Sequence, residues 1–453
     1  MEPSRFQTES IKLFPSGEAV TRILSAAVDS VNPGPAVKRH LRRNGNLLVV
    51  GSQSYDLAHF RRVRVVGAGK AGAPMAAAVE SLLADRLADG IVIVKEGHLK
   101  PQCSRIRLLE AGHPLPDQRG VQAAQQISQL LQDSRPDDLV ICLLSGGGSA
   151  LLVSPVPGIE LKDMQKLTGA LLASGADIQE INTLRKHLET LKGGNLARRI
   201  YPAQLITLVL SDVLSDPLDM IASGPTVPDP TSFEEAWSIL ERYNLLGQAP
   251  EPVIIYLQSG LDGQAMETPK PGDLLFERTQ VVIVGNNRLA AQAALEQAKL
   301  EGFNALLLTT QLQGEARQVG RVLASIGKEM ADSGRPVSRP GCLIVGGETT
   351  VTVTGRGLGG RNQELALGAV ADLDGIQNVM LVSLATDGGD GPTDAAGAVV
   401  TGDTGRRARA LGMNANDYLK SNDAYHFFVP LHDLLKPGPT MTNVNDLTLV
   451  LTV

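Results

Sequence analysis

Residues 63–94 read VRVVGAGKAGAPMAAAVESLLADRLADGIVIV. The strand-like run Val63 to Val66, apolar but for Arg64, meets Gly67-Ala-Gly69-Lys70-Ala-Gly72. An alanine-rich helical pattern to about Leu87 follows, and then a second apolar run, Ile91 to Val94. Strand, glycine turn, helix and strand make one β-α-β unit, and the wholly apolar Leu139–Leu144 belongs in a parallel sheet covered on both faces. Ile106–Leu109, Leu139–Leu144 and Leu205–Leu210 extend the pattern, so the first half is expected to be Rossmann-like. After a Pro-rich stretch over 227–273, strand Val281–Val284 starts a second series. It continues with a helix to about Glu301, strand Ala305–Thr309, a helix from Glu315 to Asp332, and strands Cys342–Val345, Val379–Leu384 and Leu447–Val453. The expected fold is α/β, with two three-layer α/β domains over residues 1–247 and 248–453.

Bulk properties narrow the function. A chain of 453 residues exceeds one ordinary core. Aromatic residues are 3% of the total, too few for base-stacking platforms, and a net charge of −6 without a basic run argues against nucleic acid or an anionic membrane as partner. Cys103, Cys142 and Cys342 lack metal-ligand spacing, as in a reducing compartment. The opening MEPSRFQTES lacks a signal-peptide core, and no run of roughly 18 apolar residues occurs. A cytoplasmic protein is expected, as monomer or homodimer.

Several motifs carry chemistry. The turn Gly67-Ala-Gly69-Lys70-Ala-Gly72 has the spacing of a dinucleotide fingerprint. Its acid would have to be Glu96, displaced past Lys95, while Lys70 adds a cation to the same anion site. His113, between Gly112 and Pro114, is a candidate acid or base, or a turn-shaping residue. Strand Leu139–Leu144 runs into Ser145-Gly146-Gly147-Gly148-Ser149, whose glycines would let backbone amides cradle phosphates. Arg185, Lys186 and Lys192 either reach a ligand or form a solvated face. Asp212 follows strand Leu205–Leu210, at the carboxyl end where α/β sheets bind ligands.

The second half centres on residues 346–364, GGETTVTVTGRGLGGRNQE. Glu348 precedes an expected short strand, Thr349–Thr354. The glycines at 355, 357, 359 and 360 then lead through Arg361 into a helix, an arrangement suited to phosphate or carboxylate. Asp387, Asp390 and Asp394 lie among glycines after strand Val379–Leu384 and offer hard oxygen ligands for Mg²⁺, chiefly Asp387 and then Asp390. Asn443, Asn445 and Asp446 form either a turn or part of a ligand cleft.

GAGKA, the AGHP turn, SGGGSALL, SDV…IASGPT, GGET…GGRNQE, ATDGGDGPTDAAG and TNVNDL occur in this order. Together they resemble the glycerate 2-kinase family with a C-terminal MOFRL region, here about 340–453. The resemblance covers Val63 to Val453. It implies an ATP- and Mg²⁺-dependent kinase acting on the C2 hydroxyl of D-glycerate, with the active site in an inter-domain cleft. It also places the family's active-site lysine on Lys70, its arginine on Arg361 and the SDV aspartate on Asp212. The chain departs from the family at Met441, where a glycine is usual.

On this reading Lys70, Asp212 and Arg361 are catalytic. Gly67, Gly69 and the Ser145–Ser149 turn bind ATP, and Glu348 and Asn443 join Lys70 and Arg361 around the substrate. Two rivals are an NAD(P)H-dependent hydroxypyruvate reductase, suggested by the glycine spacing, and a non-catalytic anion sensor.

Overall fold

The computed structural model describes residues 1–453. Two compact units emerge. One is the continuous segment Pro33–Val284, and the other joins Met1–Asn32 to Gly285–Val453.

In the first unit a small antiparallel sheet, β1 (Leu41–Asn44), β2 (Leu47–Val50) and β3 (Gln53–Asp56), precedes the main sheet. The main sheet contains β4 (Arg62–Ala68), β5 (Leu87–Lys95), β6 (Ile106–Ala111), β7 (Asp138–Ser145), β8 (Gln204–Leu210) and β9 (Thr279–Gly285), in the order β6-β5-β4-β7-β8-β9. The pairs β4–β5, β4–β7, β5–β6 and β7–β8 are parallel. This is the doubly wound Rossmann order, with the direction of winding reversing between β4 and β7. Every residue of β7 is buried, as the apolar pattern requires. One face of the sheet packs Val66, Ile93, Val140 and Leu144 against Ala124 and Ile127 of helix Gln118–Leu130. A separate helical core joins Leu167, Leu184, Phe233 and Leu257.

The second unit has β10 (Asn304–Leu312), β11 (Gly341–Gly347), β12 (Val379–Ala385), β13 (Gly397–Thr401), β14 (Leu434–Leu435) and β15 (Asp446–Thr452), ordered β10-β11-β15-β12-β13-β14. Only β10–β11 is parallel, and β15 lies antiparallel between β11 and β12. Alternation along β15 explains the three layers. Leu447, Leu449 and Leu451 join a core with Val20, Ile23 and Leu24 of helix Gly17–Ser30. Val450 faces the other core, with Leu323 and Leu367.

The structure corrects two expectations. Strand Val281–Val284 lies within β9 and ends the first sheet, so it does not start the second. The units therefore divide at Val284, not near residue 247. Residues 1–32 belong with the second half because helix Gly17–Ser30 needs an apolar partner. Its buried face shares a core with Ala291, Ala294 and Ala298 of helix Asn287–Leu300.

Candidate active site

In the first unit the strand ends deliver the chemistry. Lys70 follows β4, His113 follows β6, the Ser145–Ser149 turn follows β7, and Asp212 follows β8. The turns are tied together: Lys70 N–H donates to the Gly146 carbonyl at 2.9 Å, and Ala71 N–H donates to Ser145 Oγ at 3.0 Å. A Cβ on Gly146 would lie 2.0 Å from Asp212 Oδ2. One on Gly147 (φ +83°) would lie 2.9 Å from the His113 ring and 3.3 Å from Lys70 Cε. Three ionisable side chains thus converge on two glycines that admit no substituent.

Their electrostatics are matched. Burial pushes the Asp212 carboxyl up, and the Lys70 charge pulls it partly back. That carboxylate accepts a hydrogen bond from its own backbone N–H. Burial, and then the charges of Lys70, Lys95 and His98, push the His113 imidazole down to about 4, so it is neutral at pH 7. A buried carboxylate beside a cation is a proton acceptor with a raised affinity. The amides of Gly146 to Ser149 donate to no backbone carbonyl and remain available to an oxyanion.

In the second unit the register of β15 builds the site. Asp446 pairs with Gly347 on one side and Ala385 on the other, which brings it beside Glu348 and close to Asp387. Arg361 opens helix Arg361–Leu373. Its Nε donates to Asp446 Oδ2 at 2.6 Å, Nη2 to Asp446 Oδ1 at 3.0 Å and Nη1 to Glu348 Oε1 at 2.7 Å. Glu348, Arg361, Asp387 and Asp390 line a cavity of about 780 Å³.

Comparison with known proteins decides the family. A domain of unknown function, DUF4147, matches residues 19–258, and the MOFRL family matches 341–446. The D-glycerate 2-kinase of Thermotoga maritima is 41% identical, covering 99% of this chain and 100% of that protein. The glycerate 2-kinase of Pyrococcus horikoshii is 39% identical over 95% of this chain and 96% of its own length. The crystal structure of glycerate kinase from Thermotoga maritima superposes with a TM-score of 0.87, covering 96% of this chain and 99% of that one. The chain belongs to the glycerate 2-kinase family. It is an enzyme of the phosphotransferase class with an alcohol group as acceptor.

Against this glycerate 2-kinase background, several expected residues stand differently. A Cβ on Gly67 would lie 2.2 Å from the Leu143 carbonyl oxygen, and one on Gly69 would lie 2.1 Å from Ser145 Oγ. Both glycines are thus required by the approach of β7. The Ser145 hydroxyl is engaged by Ala71 N–H, and Ser149 Oγ pairs with Ser223 Oγ at 2.8 Å. Lys186 and Lys192 are fully buried in ion pairs with Asp219, Asp229 and Glu189, not on a solvated face. Thr349–Thr354 is not a strand. Its neighbour β10 ends at Leu312, and Thr352 N–H bonds the Glu315 carboxylate instead. The glycines after it are packed too, Gly357 on Asp423 and Gly360 on Asp390. Asn443 Oδ1 accepts Asn445 N–H at 3.1 Å, an Asx turn leading into β15.

The magnesium donors also need correction. Asp390 is buried and accepts the N–H groups of Asn362 (3.1 Å) and Gln363 (2.9 Å), capping helix Arg361–Leu373. Burial pushes its carboxyl up to about 6 despite these donors. It does not fit as a metal ligand. Asp387 is exposed, and its Oδ1 takes Gly389 N–H at 3.0 Å. No group of three or more His, Cys, Asp or Glu is arranged to hold a metal ion. A magnesium ion carried by a nucleotide needs only one or two protein carboxylates, and Asp387 fits that role. Sequence reasoning grouped Asp446 with turn residues and missed its grip on Arg361. The visible signal was an acid immediately before an apolar strand.

Proposed function

We propose that the chain transfers the terminal phosphoryl group of ATP to the C2 hydroxyl of D-glycerate, giving 2-phosphoglycerate and ADP. The observation that carries this is the convergence of Lys70, Asp212 and His113 on Gly146 and Gly147. The C2 oxygen forms its bond to phosphorus, the bond to ADP breaks, and the hydroxyl proton passes to the Asp212 carboxylate. Lys70, whose ammonium is engaged in neither a hydrogen bond nor an ion pair, neutralises oxyanion charge beside it. Free amides at Gly146–Ser149 bind phosphate oxygens. Neutral His113 donates or accepts a hydrogen bond without adding charge. Arg361, on its own unit, is the second anion-holding side chain, with two guanidinium N–H groups left after Asp446 and Glu348 take three. Magnesium, when bound, neutralises charge on the phosphates, and Asp387 would hold it. Phosphoryl transfer rests on such positioning and charge neutralisation.

The reductase alternative is weaker on chemical grounds. The displaced acid, Glu96, is paired with Arg119 at 2.8 Å. Gly67 and Gly69 are accounted for by strand packing. The deciding experiment is ATP consumption with D-glycerate and Mg²⁺, followed by ³¹P NMR of the product. A 2-phosphoglycerate signal supports the proposal. Phosphorylation at the C3 oxygen, or NAD(P)H oxidation with hydroxypyruvate and no ADP, would overturn it.

A further inference from the structure

Helix Ile178–Leu188 carries Asn182 and Arg185 on one stripe, continued by Glu189 at its C-terminal end. One end of the stripe reaches the segment after β7 through Ser223, and the other touches it directly. Asn182 Oδ1 accepts Ser223 Oγ at 3.0 Å, and Ser223 Oγ meets Ser149 Oγ at 2.8 Å. Glu189 Oε2 accepts Ser154 N–H at 3.0 Å. Arg185 lies between these anchors, so its helix face is turned toward residues 149–154, directly after the Ser-Gly turn. Ala222 and Ser223 adopt left-handed backbone conformations, φ 52° and 60°, that press this arrangement together.

Charge around Arg185 does not balance. Glu189 is the carboxylate whose charge acts on it, and that carboxylate is spent. Its Oε1 takes Lys192 Nζ at 2.6 Å, while Oε2 takes the Ser154 amide. Two cations therefore share one anion. Lys192 also donates to the Leu152 carbonyl, whereas the guanidinium of partly buried Arg185 has neither a hydrogen bond nor an ion pair. The neighbouring Lys186 is satisfied separately by Asp219 and Asp229. Desolvating an unpaired cation is costly, and an incoming anion removes that cost.

We propose that Arg185 is an oxyanion-binding residue beside the Ser145–Ser149 turn, and that a carboxylate or phosphate oxygen completes its pairing. Naming the glycerate carboxylate or an ATP phosphate as that oxyanion rests on the phosphotransfer reading above. The Ser149–Ser223–Asn182 chain spends its hydroxyl protons internally, so its part is to hold the turn against the helix that bears Arg185.

The test uses the full chain with Arg185→Met and Arg185→Lys. Arg185→Met should raise one KM by about 10- to 100-fold, the usual worth of a charge-assisted hydrogen bond. A rise for D-glycerate identifies the carboxylate, and a rise for ATP identifies the phosphate. Arg185→Lys should recover part of the loss. Because the native partner is absent, Arg185→Met should melt no lower than wild type. A marked drop in melting temperature, or both KM values within twofold of wild type, would overturn the proposal. A second readout needs no turnover: thermal stabilisation by inorganic pyrophosphate and by D-glycerate alone. Loss of either stabilisation in Arg185→Met upholds the anion site even if wild type transfers no phosphoryl group. Equal stabilisation of both proteins defeats it even in an active kinase.

Discussion

Asp446 holds Arg361 through two parallel contacts, Nε to Oδ2 at 2.6 Å and Nη2 to Oδ1 at 3.0 Å. A fork of this kind fixes the plane of the guanidinium as well as its position. Glu348 takes a third N–H, so the orientation of Arg361 is set before any ligand arrives. Asp446→Asn keeps the shape but weakens the grip, and should lower kcat/KM by about 10- to 100-fold, the usual cost of losing an orienting partner. Arg361→Ala should cost more, on the order of 10³-fold. Steady-state kinetics on both variants check the ranking. An Asp446→Asn enzyme as active as wild type would remove Asp446 from the machinery.

Asp212→Asn should depress kcat by about 10²- to 10⁴-fold, the range for losing a general base, with a smaller change in KM. The acid limb of the pH–rate profile should disappear with it. A variant that loses only affinity would make Asp212 a binding group.

Gly147→Ala should damage both stability and turnover. Its φ of +83° penalises an L side chain by roughly 1–2 kcal/mol. The methyl group would also meet the His113 ring and Lys70 Cε. Gly146→Ala, with its methyl against Asp212, should likewise cut turnover. Urea denaturation alongside kinetics checks both variants, and an unaltered Gly147→Ala would contradict the described packing.

His113 gives a pH dependence whose sign is fixed. Its folded-state pKa is pushed from 6.5 down to about 4, first by burial and then by Lys70. Between those values the unfolded chain takes up a proton that the folded chain refuses. Stability should therefore fall as pH drops from 6.5 toward 4. Melting temperatures measured down that range should fall less steeply for His113→Asn. Equal slopes would show that His113 does not carry the effect.

Met441 sits at φ +65°, where the family usually has glycine, and its side chain is 39% exposed. Met441→Gly should relieve left-handed strain, partly offset by the greater unfolded-state freedom of glycine, for a net gain of about 0.5–1 kcal/mol. Chemical denaturation measures this, and a loss of stability would mean that the Met441 side chain makes contacts worth more than the strain.

Legibility in the sequence followed locality. Lys70, Asp212 and the Ser145–Ser149 turn were readable because each directly follows an apolar strand of a parallel sheet, where ligands gather. The role of Asp446 is hidden in the sequence because it comes from β15 lying between β11 and β12, a pairing across many residues of chain. Val281–Val284 has strand character whichever sheet it joins, so its place at the edge of the first sheet is invisible locally. The β-branched run Thr349–Thr354 has strand propensity but makes only a single bridge, Thr350 to Glu315, because β10 ends at Leu312. Asp390 resembled a metal ligand because an acid among glycines looks the same whether it caps a helix or holds a cation.

The central place of β15 sets the order in which the protein can be made. Residues 33–284 form a continuous unit able to fold while the ribosome is still at work. Helix Gly17–Ser30, synthesised earlier, must keep its apolar face waiting for helix Asn287–Leu300. The second sheet cannot close until Asp446–Thr452 emerges to join β11 to β12. A nonsense mutation a few codons before Asp446 would thus leave a finished first unit attached to two unjoined sheet fragments, with Arg361 deprived of its partner.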